Sequence, residues 1–311
     1  MQNLARLMCS SLPRIVVFSL GMAGLSACSD SVAPAIEDSA TDTLGTDMSG
    51  DTSAAPDVKS PDDTGPAEAG GGGWLTIRVG GDTTPKALYD GLSGQTPTTY
   101  TMGLARYEIM TSATDPKPVV VFDHGTKPVE INMLAGAQVA GRGRLSSIPS
   151  GTYTHGRVQL TSTTFTIAAT VHTLAALPGT VEVIAALSDT TLGGKAWKQG
   201  QVSYTFSVWP TPLPGLLPPL PATPGGQIIQ KDGKTWMVFP FTKPLAIVSS
   251  SPSSWTATII YEVGDSFRWQ DDPNVAGYKA KVFDVSVLPA PSFEIVKAFG
   301  ATGYLITEKK D

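Results

Sequence analysis

Cysteine is almost missing from this sequence: the 311 residues contain two, Cys9 and Cys28. Histidine is nearly as scarce, at His124, His155 and His172. Charged residues make up 16% of the chain, and no apolar run reaches the ~20 helical residues that cross a bilayer core. Each shortage excludes something. Residues 29–311 hold no cysteine, so that part has neither a disulfide nor a Cys-ligated metal. The histidines stand in no zinc-ligand spacing, and HExxH is absent. Without a concentrated basic face the chain lacks the charge that displaces counterions from nucleic acid. A serine-nucleophile elbow is missing too, since Gly91-Leu92-Ser93-Gly94 departs from Gly-x-Ser-x-Gly by one residue. Gly70 to Gly73 opens no helix and so makes no phosphate cradle. These patterns assign no catalytic residue, no cofactor and no nucleic-acid partner.

What is present begins with an uneven charge. Residues 1–27 carry Arg6 and Arg14 and no acid, whereas residues 28–73 carry ten acids and one base, Lys59. The rest is close to neutral. The run Ile15 to Ala27 is short, apolar and preceded by the two arginines, which is the pattern of an export signal. At its end, Leu25-Ser26-Ala27-Cys28 resembles the lipobox of bacterial lipoproteins. That resemblance implies cleavage between Ala27 and Cys28 and lipidation of Cys28. Two or three acyl chains hold a protein on a membrane where one does so only marginally. Ser29, rather than Asp, follows the cysteine. In a double-membrane bacterium the resemblance then implies sorting to the outer rather than the inner membrane.

Residues 28–73 are Asp, Ser, Thr, Ala, Pro and Gly with almost no large apolar group. Such a segment buries too little surface to offset the cost of ordering, so a disordered linker is expected. As a flexible coil it spans roughly 35–40 Å.

From Trp74 the dominant period is two. Leu75, Ile77 and Val79 alternate with Thr76 and Arg78; Val202, Tyr204, Phe206 and Val208 form one face, and Trp255, Ala257, Ile259, Tyr261 and Val263 another. This is the pattern of strands with one buried side. Asp232-Gly233 between two apolar runs predicts a tight hairpin, and Gly193-Gly194 a second break. Short helices are conceivable only at 87–92 and 133–141, and Gly141-Arg142-Gly143-Arg144 reads as a small basic turn. The expected fold class is therefore all-β, an antiparallel β-sandwich of immunoglobulin or transthyretin type. The range 74–208 makes the first part. The Pro-rich 209–226 is a linker or a stiff loop, because proline cannot serve a central strand. The range 227–311 is a second β subdomain or a continuation of the first.

A family resemblance supports the same fold. Val129 to Leu134, Pro149-Ser150-Gly151-Thr152-Tyr153 and Arg157-Val158-Gln159-Leu160 are similar to an uncharacterised bacterial lipoprotein domain with a transthyretin-like, or prealbumin-like, sandwich. The Thr-Asp-Ala-Pro that usually follows the opening strand there is absent here. The resemblance implies a fold and an envelope location, and no activity.

Two further groups are candidates for binding. Trp209 stands beside the Pro-rich segment and Trp269 beside a turn; exposed there, either suits a glycan or a protein partner. Asp265, Asp271 and Asp272 make an oxygen-rich loop of the kind that holds calcium. That loop lacks the alternate-residue spacing of an EF-hand and contains Arg268, so a plain turn is the simpler reading. The expected function is a lipid-anchored, non-enzymatic β-sandwich for binding or envelope structure. A carbohydrate-binding or adhesion module is the alternative, and a hydrolase without a recognisable motif a third.

Overall fold

A computed structural model describes residues 72–86, 90–216, 226–286 and 292–311. The export signal, Cys28 and the linker up to residue 71 lie outside the described residues.

The described chain is all-β. Its strands in order are β1 (Trp74–Asp82), β2 (Ser93–Gln95), β3 (Thr99–Met110), β4 (Val119–Asp123), β5 (Val129–Asn132), β6 (Gln138–Arg144), β7 (Gly151–His172), β8 (Ala176–Ala186), β9 (Thr190–Leu192) and β10 (Lys195–Trp197). They continue with β11 (Gln201–Phe206), β12 (Trp209–Leu216), β13 (Gln227–Lys231), β14 (Lys234–Ile247), β15 (Trp255–Glu262), β16 (Phe267–Gln270), β17 (Asp284–Ser286), β18 (Ser292–Phe293), β19 (Ile295–Phe299) and β20 (Gly303–Lys310). One sheet runs β20-β15-β1-β6 and a small one β19-β16-β2. The large sheet runs β12-β11-β8-β7-β14-β13, with β3, β4, β5, β17 and β18 attached.

Strands from both halves of the sequence share these sheets. β1 pairs in parallel with β15, and β7 pairs with β14. The ranges 74–208 and 227–311 are therefore one β unit. The alternating faces explain why: Leu75, Ile77 and Val79 of β1 and Ala257, Ile259 and Tyr261 of β15 all point into a single core. Val202 and Phe206 are buried as their alternation predicts, whereas Val208 is exposed because the strand ends in a turn.

The edges of the sandwich are tied by side chains. His124 Nε2 lies 2.8 Å from the Ala140 carbonyl, joining the end of β4 to β6. Thr242 Oγ1 donates to the Ile306 carbonyl at 2.8 Å, joining β14 to β20.

Several local expectations change. Residues 133–141 make no helix; they turn and enter β6. Gly141-Arg142-Gly143-Arg144 is strand rather than turn. Its glycines let β4 approach, since a Cβ at Gly141 would lie 2.4 Å from the Phe122 ring. Its arginines stand over the Trp74 ring, Arg144 at 4.5 Å and Arg142 at 5.0 Å. Residues 209–216 are an edge strand, neither linker nor loop, paired to β11 alone. An edge is where a proline-bearing strand is tolerated. The Asp232-Gly233 hairpin forms as expected, with φ of 52° and 69°.

Candidate binding cleft

β7 keeps β3 along one side but changes partner on the other. That partner is β14 up to Leu160 and β8 from Ser162 onward. Thr161 is the residue between. Its carbonyl accepts the Leu187 and Ser188 amides at 2.9 and 3.0 Å. Where β14 and β8 part, a cleft of about 540 Å³ opens. Such a volume falls within the range of small-molecule sites. Arg106 of β3 and Gln159 and Thr161 of β7 form its floor; the segment after β4 (Asp123 to Pro128) lines one side and the β9–β10 hairpin, with Trp197 and Lys198, the other.

The hairpin is formed by sequence and held by hydrogen bonds. Gly193 and Gly194 take φ of 54° and 76°, which a two-residue turn between twisted strands demands. Asp189 then anchors its base: its amide donates to the Gly233 carbonyl at 2.7 Å, and its carboxylate accepts Lys198 Nζ at 2.7 Å and the Gln199 amide at 2.9 Å. Gln199 Nε2 in turn donates to Thr235 Oγ1 at 2.8 Å. The Lys198 ammonium and the Gln199 N–H hold the Asp189 carboxyl below the ordinary carboxylate range.

Across the floor the charges are paired. Arg106 donates to Glu108 Oε1 at 2.7 Å and to Asp123 Oδ2 at 2.8 Å. The buried Glu108 also accepts from Arg157, whose guanidinium lies 4.6 Å from the Trp236 ring centroid. Thr161 is different. It is 4% exposed, and its hydroxyl has no hydrogen-bond partner.

The residues singled out by sequence lie elsewhere. Trp269 is not at the surface: it is 0% exposed, sits in β16 between β19 and β2, and contacts Phe267 and Phe283 with ring centroids 5.7 Å away. Its indole N–H donates to Asp271 Oδ1 at 3.0 Å. Trp209 opens β12; its side chain is outside the described residues. Asp271 Oδ2 accepts Ser93 Oγ at 2.7 Å, Asp272 Oδ1 accepts the Asn274 amide at 2.9 Å, and Asp265 occupies a left-handed turn position at φ 49°. Among the described residues no three acidic or histidine side chains gather to hold a metal ion. His155 lies beside Thr154 Oγ1, at 2.8 Å. His172 is buried, with Nε2 2.7 Å from Asp284 Oδ1.

Sequence reasoning missed Arg106, Gln159, Thr161 and Trp197. Only Trp197 had a local signal, an indole three residues beyond a Gly-Gly turn. A second cavity, of about 50 Å³, lies well below the volume of small-molecule sites. No protein-family model, no curated protein and no solved structure matches this chain.

Proposed function

We propose that the chain is a lipid-anchored protein of the bacterial cell envelope, whose β-sandwich binds a ligand in the cleft between β14 and β8. The lipobox-like Leu25 to Cys28 supports the anchor, and the acidic segment to residue 73 supports a stalk that holds the sandwich away from the membrane. Ser29 favours the outer membrane. The observation that carries the binding role is the cleft itself: fixed donors and acceptors on a sheet, flanked by two loop segments. Binding fits better than hydrolysis. Asp189 is held ionised by Lys198, so it is not set up as a proton donor near neutral pH.

The anchor is tested by Cys28→Ser. Membrane attachment and labelling by a radiolabelled fatty acid are both expected to vanish. A variant that stays in the membrane fraction with label intact overturns the lipoprotein reading. The partner, in this reading, is a glycan or protein met outside the anchoring membrane.

A further inference from the structure

The charged groups of the cleft are largely occupied by one another. Arg106 is shared between Glu108 and Asp123, and Lys198 is bonded to Asp189. An ionic ligand would have to break one of these pairs; Lys234, exposed where β14 begins, is the one cation lining the cleft that has no ion pair among the described residues. What stands ready is neutral: the Gln159 carboxamide and the buried, unpartnered Thr161 hydroxyl. A buried hydroxyl without a partner carries a desolvation penalty that a ligand's hydroxyl relieves.

Trp197 adds the second half. It lines the cleft on one side and, on the other, a neighbouring groove of about 420 Å³ that includes Pro212 and Pro214. The indole thus stands as a half-buried partition between two open spaces. An indole offers a flat apolar surface with a polar edge, which suits the C–H face of a sugar ring whose hydroxyls reach toward the floor. A peptide is less well served here. Adding a strand needs free backbone donors on the sheet edge, and β12, the edge beside Trp197, carries proline at alternate positions 212 and 214.

We infer that the cleft is a saccharide site, with Trp197 as stacking platform and Thr161 and Gln159 as hydroxyl-binding groups. This rests on the cleft being the protein's binding site. The test applies the full-length protein, in a zwitterionic detergent, to an oligosaccharide array and in parallel to a peptide array, and then titrates the strongest hit. Saccharide binding is expected. Trp197→Ala should weaken it by about 10-fold or more, as loss of an aromatic anchor does. Thr161→Val, which keeps the shape and removes the hydroxyl, should weaken it about 3- to 10-fold, in line with one hydrogen bond. Trp197→Phe, which keeps a ring, should retain most of the affinity and shows that the hairpin still folds. Peptides bound through Trp197, with the saccharide array silent, overturn the ligand class and leave the cleft standing as a site. Saccharide binding unchanged in both Trp197→Ala and Thr161→Val, or silence on both arrays, overturns the cleft as well.

Discussion

Two regions of this molecule collect ionisable side chains, and they do so in opposite ways. One is the open cleft, where Arg106, Asp123, Asp189 and Lys198 meet solvent. The other is a buried corner made by β17 and the segments around it. There Asp284 and Glu294 are 0% and 1% exposed. In the corner, main-chain amides do most of the work. Glu294 accepts the Asp284 amide at 2.8 Å and the Asp272 amide at 3.0 Å, and Asp284 accepts the Lys279 amide as well as His172. Gly277, at φ 83°, presses its backbone against the His172 ring, where a Cβ would come within 2.1 Å of Nδ1. A cluster of acids and a histidine would read as a site in a sequence; here its polar atoms are met by the protein itself. The cleft has fewer buried charges but keeps one hydroxyl unmet. A gathering of charge is thus weak evidence of a site where its own polar atoms already satisfy one another.

Removing Asp284 should break the corner most severely. Asp284→Ala leaves the buried His172 ring and the Lys279 amide without their acceptor, and truncating one partner of a buried pair costs about 3–5 kcal/mol. Urea unfolding followed by tryptophan fluorescence measures it. A loss below about 1 kcal/mol would mean that water reaches the corner and that the contrast with the cleft is false.

A second substitution measures the cleft's floor in the same way. Glu108 is buried between Arg106 and Arg157, but both arginines are partly exposed, at 31% and 26%. Solvent screening should therefore reduce the effect relative to Asp284. Glu108→Gln is expected to cost about 1.5–3 kcal/mol, the range for hydrogen bonds to a charged group. A cost equal to that of Asp284→Ala would show that the floor is as dry as the corner.

How far the sequence reveals this contrast depends on distance along the chain. Alternation at Leu75-Ile77-Val79 and Ala257-Ile259-Tyr261 marks two core strands, and Asp232-Gly233 and Gly193-Gly194 mark two hairpins, because strand period and turn conformation are local properties. The parallel pairing of β1 with β15 has no local signal; it joins residues 180 apart. Trp269 misleads for a related reason. The register shifts between Arg268 and Trp269, and Phe267, Arg268 and Trp269 are all buried, so no alternation warns that the indole faces inward. The cleft is the least legible part. Arg106, Gln159, Thr161 and Trp197 come from two strands and a hairpin, and what brings them together is the exchange of β14 for β8 beside Thr161, a tertiary event. Proline in β12 speaks against a central strand, but the same chemistry permits an edge.

The smallest effects concern pH, and there the two regions should slope in opposite directions. Burial raises the Glu294 carboxyl above its ordinary value of 4.5. Between that value and the raised one the folded protein holds more protons than the unfolded chain, so stability falls as pH rises through this window. Asp189 is the reverse case. Its carboxyl is lowered from 3.8, chiefly by the Lys198 bond. It contributes stability that is present above 3.8 and fades as pH falls below that value toward the lowered one. Glu294→Gln should flatten the first slope and Asp189→Asn the second. The Asp189 effect should be the slighter, since its side chain is 43% exposed and that of Lys198 75%, and solvent screens an exposed pair. Urea midpoints of both variants, measured from about pH 3 to pH 7 at two ionic strengths, separate the cases: salt should erase the Asp189 slope and leave that of Glu294, because screening reaches exposed charges far more than buried ones. If salt erases both, the corner is wet and the two regions differ only in shape.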